Sequence, residues 1–75
     1  MTLEEATFAA LEAARAGDLD VLGTALAARA RAMAAGEVPT LGVHAAGERT
    51  AQLLRELIRA TGLEAARLRQ LERYR

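Results

Sequence analysis

Apolar residues recur at helical spacing along almost the whole of this 75-residue chain, with one clear interruption. Thr2, followed three residues later by Glu5, fits a capping box, so a first helix is predicted to start at about Leu3. Ala, Leu, Glu and Arg, all strong helix formers, dominate as far as Ala35, and Gly36 is placed to close the run as a left-handed cap. The segment EVPTLG follows; its Pro39 forbids helix at Val38 and favours a new first turn at Pro39 or Thr40.

From Thr40 the pattern is helical to the C-terminus. Val43, Ala46, Gly47, Thr50, Leu54, Leu57, Ile58, Thr61, Ala65 and Leu68 fall on one face at about 100° per residue, with Leu53 and Leu71 at its edge. Gly47 lies on that inner face, where the lack of a side chain allows close approach of a neighbouring helix. At Gly62 the flanking Thr61 and Glu64 could form a fresh capping box, which leaves open a break there. No strand signal and no internal repeat is found.

The stretch ARAGDLDVL, Ala14 to Leu22, reads in two ways. Local chemistry favours a turn, with Gly17 capping one helix and Asp18 starting the next. Against it, residues 3–35 projected as one helix bring Phe8, Leu11, Leu19, Leu22, Leu26 and Met33 into a single stripe. Ala10, Ala14, Val21, Ala25, Ala28 and Ala32 line up beside it. One rod over 3–35 would also match the roughly 50 Å rod of 40–74, whereas three helices would leave half of the last uncovered. The expected fold is therefore all-α: one domain over residues 1–75, a long antiparallel αα-hairpin whose first arm is kinked at Gly17-Asp18. The apolar arc of that arm is too wide for one partner helix, which points to completion of a helical bundle by self-association.

Composition narrows the function classes. Ten arginines balance ten acids, so no net field draws the chain to nucleic acid or anionic membrane. The distribution is uneven: residues 1–37 hold six acids against three arginines, and 38–75 hold seven arginines against four acids. Opposite halves suit two arms that attract each other. There is no Cys, and a single His, so no disulfide, no Cys-based zinc site and no His cluster is possible; no cofactor is expected. No run of 18 apolar residues is present and the start of the chain is acidic, which argues against a membrane span or secretory signal and makes the cytoplasm the expected location.

Candidate chemistry is sparse. His44 has no neighbour in sequence to orient it, the chain has no Ser nucleophile, and GERTAQ lacks the Lys of a phosphate loop. A non-enzymatic protein is expected. Arg55, Arg59, Arg69 and Arg73 share one flank of the last helix and could track phosphates, but acids are interspersed and no aromatic is there to stack bases. The alternative use of that flank is to shield apolar surface with arginine methylenes. Leu63 and Tyr74 point away from the expected core face.

The segment AGDLDVLGTALAARARAMAAG, Ala16 to Gly36, resembles the first-arm pattern of the small flagellar export chaperones of the FliT type, through Gly17, Asp18, Leu19, Leu22, Leu26, Arg29 and Met33. The later GERTAQLLRELIRATGLEAARLRQLE, Gly47 to Glu72, is similar in composition to that family's returning helix. The resemblance implies a helical-hairpin chaperone that holds an apolar export substrate, typically a filament-cap subunit, and touches export-apparatus proteins. Three functions are thus expected in turn. The first is a helical protein-binding module presenting Leu22, Leu26, Met33, Leu53, Leu57 and Ile58 to a partner helix. The second is an arginine-flank nucleic-acid binder, and the third a purely structural oligomer, most simply a homodimer.

Overall fold

The computed structural model describes residues 1–73, so Tyr74 lies outside the described residues. It is all-α, with three helices in order: α1 (Leu3–Ala16), α2 (Leu19–Ala34) and α3 (Leu41–Arg73). The first begins as its sequence requires. Thr2 Oγ1 accepts from Glu5 N–H at 3.2 Å, and Glu5 Oε1 accepts in return from Thr2 N–H at 3.1 Å. This second bond, then the Thr2 side chain, holds the Glu5 carboxyl below its ordinary value. Leu3 N–H, another donor with no partner inside the helix, reaches Glu37 Oε1 at 3.2 Å, tying the start of α1 to the end of the second loop.

The expected kink at Gly17-Asp18 is instead a full turn. Gly17 adopts left-handed φ 69°; its N–H donates to Ala14 O, and Asp18 N–H to Ala13 O, the double closure of a Schellman motif. Asp18 Oδ1 then accepts from Val21 N–H at 3.1 Å and caps α2. Across the hairpin, Arg29 Nε donates to Thr7 Oγ1 at 3.2 Å, whereas in a continuous helix these residues would stand about 33 Å apart. The shared phase of Phe8, Leu11, Leu19, Leu22, Leu26 and Met33 was not a shared face: Leu11 and Leu22 are buried, while Phe8, Leu19 and Met33 are exposed.

The same closure recurs at the other end of α2. Gly36 has φ 98°, as a left-handed cap should, and Glu37 N–H donates to Ala32 O. Thr40 then caps α3, its Oγ1 accepting from Val43 N–H at 3.3 Å. The last helix continues unbroken through Gly62, so the Thr61–Glu64 pair does not start a new one.

Alanine explains the packing. One face of α1 presents Ala6, Ala10, Ala13 and Ala14, all buried, and such short side chains let two backbones come close at once. α1 is therefore the central helix, touched by both α2 and α3, while no Cα of α2 comes within 8 Å of one in α3. Larger side chains fill that wider gap. Leu26, Leu53 and Leu54 pack against the buried set of Ala10, Ala13, Ala14, Leu22 and Ala25, and Leu3, Ala32 and Val43 form a smaller cluster where the N-termini of α1 and α3 meet the end of α2. Arg29 also spans the gap. Its Nη2 lies 2.9 Å from where a Cβ on Gly47 would stand, so the close neighbour that Gly47 admits is a guanidinium rather than a helix backbone.

Candidate protein-binding face

The three-helix arrangement has the consequence that argued against it from sequence: half of α3 is left without cover. Thr50 is its last buried residue, Leu53, Leu54 and Leu57 are half-buried, and every residue from Ile58 to Arg73 is exposed. The hairpin turn stands beside Ile58 to Gly62, and the eleven residues from Leu63 to Arg73 project about 16 Å beyond it, in a molecule 55 Å long and only 20 Å across. The apolar phase does not stop with the cover. Thr61, Ala65 and Leu68 continue the face that Val43, Ala46, Thr50 and Leu54 bury, and Ile58 and Leu68 are 65% and 62% exposed upon it.

Where α3 leaves the bundle, it forms an open hollow of about 450 Å³ with the hairpin turn, lined by Gly17, Leu19, Leu54, Leu57, Ile58, Thr61 and Gly62. The turn is what places Leu19 there, since it begins α2 beside the passing α3. A second hollow of about 440 Å³, lined by Ala9, Val21, Ala25 and Ala28 among others, runs between α1 and α2. A smaller one of about 150 Å³ lies in the α2–α3 gap under Arg29 and Leu26.

The six residues expected to meet a partner divide accordingly. Leu22 is only 3% exposed and belongs to the core, which corrects its place on a partner face. Leu26 and Leu53 are half-buried against that core and serve the internal packing. Met33 is exposed, but sits near the end of α2 beside the Leu3–Ala32–Val43 cluster, away from the others. Leu57 and Ile58 do come together in the hollow at the turn. Sequence reasoning passed over Leu68 as a partner residue; its signal was an apolar phase that outlasts the length of either helix available to cover it.

Electrostatics separates the two ends of the molecule. Glu4, Glu5, Glu12, Asp18 and Asp20 are exposed on α1, α2 and their turn, and Arg55, Arg59, Arg69 and Arg73 along one flank of α3. Among the described residues the two sets do not meet. The ion pairs are Arg15–Glu12 at 3.0 Å and a His44–Glu48 approach of 4.0 Å, each within one helix. Among the described residues no ion pair joins the chain's two halves, and Arg69 and Arg73 lie beyond the end of the acidic hairpin.

His44 is exposed on the flank of α3, with Glu48 its only charged contact among the described residues. No group of three potential metal ligands occurs among the described residues, and no helix there is long and apolar enough to cross a membrane. No protein-family model matches the chain, and neither a curated protein nor a solved structure matches it.

Proposed function

We propose that the protein is a non-enzymatic helical interaction module that binds another protein helix along the uncovered face of α3, from the hollow at Leu19, Leu57 and Ile58 out to Leu68 and Leu71. One observation carries this reading: the apolar stripe of α3 keeps its phase for eleven residues, Ile58 to Leu68, past the last point at which the chain covers it. A stripe of that length normally exists to be buried, and a helix laid antiparallel or parallel upon it would bury it by side-chain interdigitation. The arginine flank serves as the rim of the same surface, its methylenes extending the apolar area and its charges selecting an acidic partner.

An export chaperone of the FliT type is the specific form of this function that the resemblance of Ala16–Gly36 supports. The partner would then be an amphipathic helix of an export substrate, held in the cytoplasm. A photo-crosslinking residue placed in turn at Ile58, Leu68 and Leu63 tests the binding face in cells. The first two share the proposed face and should give covalent protein adducts, while Leu63, on the opposite side of α3, should give few. Equal yields from all three positions would refute a face-specific function.

A further inference from the structure

We propose a second binding site, apart from the α3 face: the guanidinium of Arg29 and the hollow beside it take a small aliphatic carboxylate. Arg29 is the one arginine among the described residues that is not exposed. It reaches from α2 across the gap to α3, and each of the other two helices sets aside a residue to hold it there. On α1, Thr7 stands among the buried alanines; it is fully buried, and its Oγ1 accepts from Arg29 Nε at 3.2 Å. On α3, Gly47 lies in the covered stretch between Ala46 and Thr50, where Ala would favour the helix more, and leaves clear the space beside Nη2. A leucine or methionine at position 29 would fill the gap with neither arrangement.

The end of the side chain is what this leaves free. Thr7 engages Nε, so the edge formed by Nη1 and Nη2 keeps the paired donors that match the two oxygens of a carboxylate. No acid of the chain meets that need, since among the described residues the ion pairs are Arg15–Glu12 and His44–Glu48. A cation drawn partly out of water favours the arrival of a counter-charge.

The hollow beside Arg29 supplies the space. On α2, Leu26 lies one turn from Arg29; on α3, Ala51 and Leu54 lie one and two turns from Gly47 in the same direction, and Ala10 of α1 completes the lining. Thr50 also borders it, but its hydroxyl is committed to Ala46 O at 2.9 Å, so Arg29 alone sets the polarity. A charged end above an apolar wall suits a carboxylate with a short hydrocarbon tail. The volume of about 150 Å³ is some five times the roughly 30 Å³ that a water molecule takes in the liquid, which fits a molecule the size of butyrate.

Nitrogen-15 NMR of the full chain, titrated with sodium butyrate at constant ionic strength, tests the site. Arg29 Nε–H and the amides of Gly47, Ala51 and Leu54 should shift and saturate. Sodium chloride and neutral butyramide should leave them in place, and acetate, which has no tail to enter the hollow, should bind more weakly by about threefold or more. Arg29→Lys keeps the charge but not the fork and should weaken butyrate binding by about tenfold or more. Ala51→Leu, which fills the hollow and leaves Arg29 in place, should abolish it, with helix content unchanged by circular dichroism in both variants. Shifts that rise without saturating, that chloride or butyramide reproduces, or that persist in Ala51→Leu would overturn the proposal, as would acetate binding as tightly as butyrate. The comparison of ligands on the wild type decides the matter even where a variant folds poorly.

Discussion

Gly17 decides how the N-terminal half folds. Its φ of 69° is open to glycine and strained for other residues, and nothing lies within 4 Å of where its Cβ would be, so the effect of a side chain there is conformational rather than steric. Gly17→Ala should lower stability by about 1–2 kcal/mol in urea denaturation. Had the chain run through as helix, the same substitution would raise it by about 1 kcal/mol, so the sign alone distinguishes a turn from a kink. At the other end of α1, Glu5 has its carboxyl pKa depressed by the bond from Thr2 N–H. A depressed pKa means that the stabilisation is present above the unfolded carboxylate value and is lost as pH falls through the lower folded one. The amides of the first turn of α1 should therefore lose exchange protection as pH falls below the ordinary carboxylate range, and Glu5→Gln should remove most of that acid sensitivity while its amide oxygen still accepts from Thr2 N–H.

Helix boundaries were legible in the sequence wherever a side chain or a glycine performs the closure. Thr2 with Glu5, Gly36, and Thr40 after Pro39 all do what their residue types predict. The turn at Gly17-Asp18 was legible too, through its local chemistry; what misled was the collinear stripe from Phe8 to Met33, whose members turn out to face in different directions. Periodicity counts large apolar side chains, but the inward face of α1 is built mainly of alanines, because a helix gripped from two sides has room for little more. Leu22 was placed on a partner face by the same error. The position of Arg29 was not legible at all, since it depends on α2 and α3 being held apart by α1. Its contact with Gly47 can be measured as a coupling. Gly47→Ala should gain about 1 kcal/mol of helix propensity in an Arg29→Ala background. With Arg29 present the gain should be smaller by about 0.5 kcal/mol or more, because the guanidinium must move away from the new methyl.

At the scale of the whole molecule, the chain is a short three-helix bundle with a bare helix extending from it. Its radius of gyration, 15.9 Å, exceeds the roughly 11 Å of a compact chain of this length. Argument from length assumed that a chain would not leave half a helix uncovered, and that assumption failed because α1 and α2 fold back into a hairpin only half as long as α3. The uncovered half carries both the unspent apolar surface and the unmet positive charge, and it is there that the function is proposed to reside. An unsupported helix of sixteen residues is marginal in water, so its order should depend on what it binds. Residue-resolved amide exchange along α3 measures this most directly, taken first on the chain alone and then on its photo-crosslinked adduct at Ile58. The account predicts that residues 43–54 are protected to the same degree in both, while residues 60–72 exchange nearly freely in the first and become protected in the second. Protection of residues 60–72 that matches that of residues 43–54 in the isolated chain, or that never rises, would contradict it.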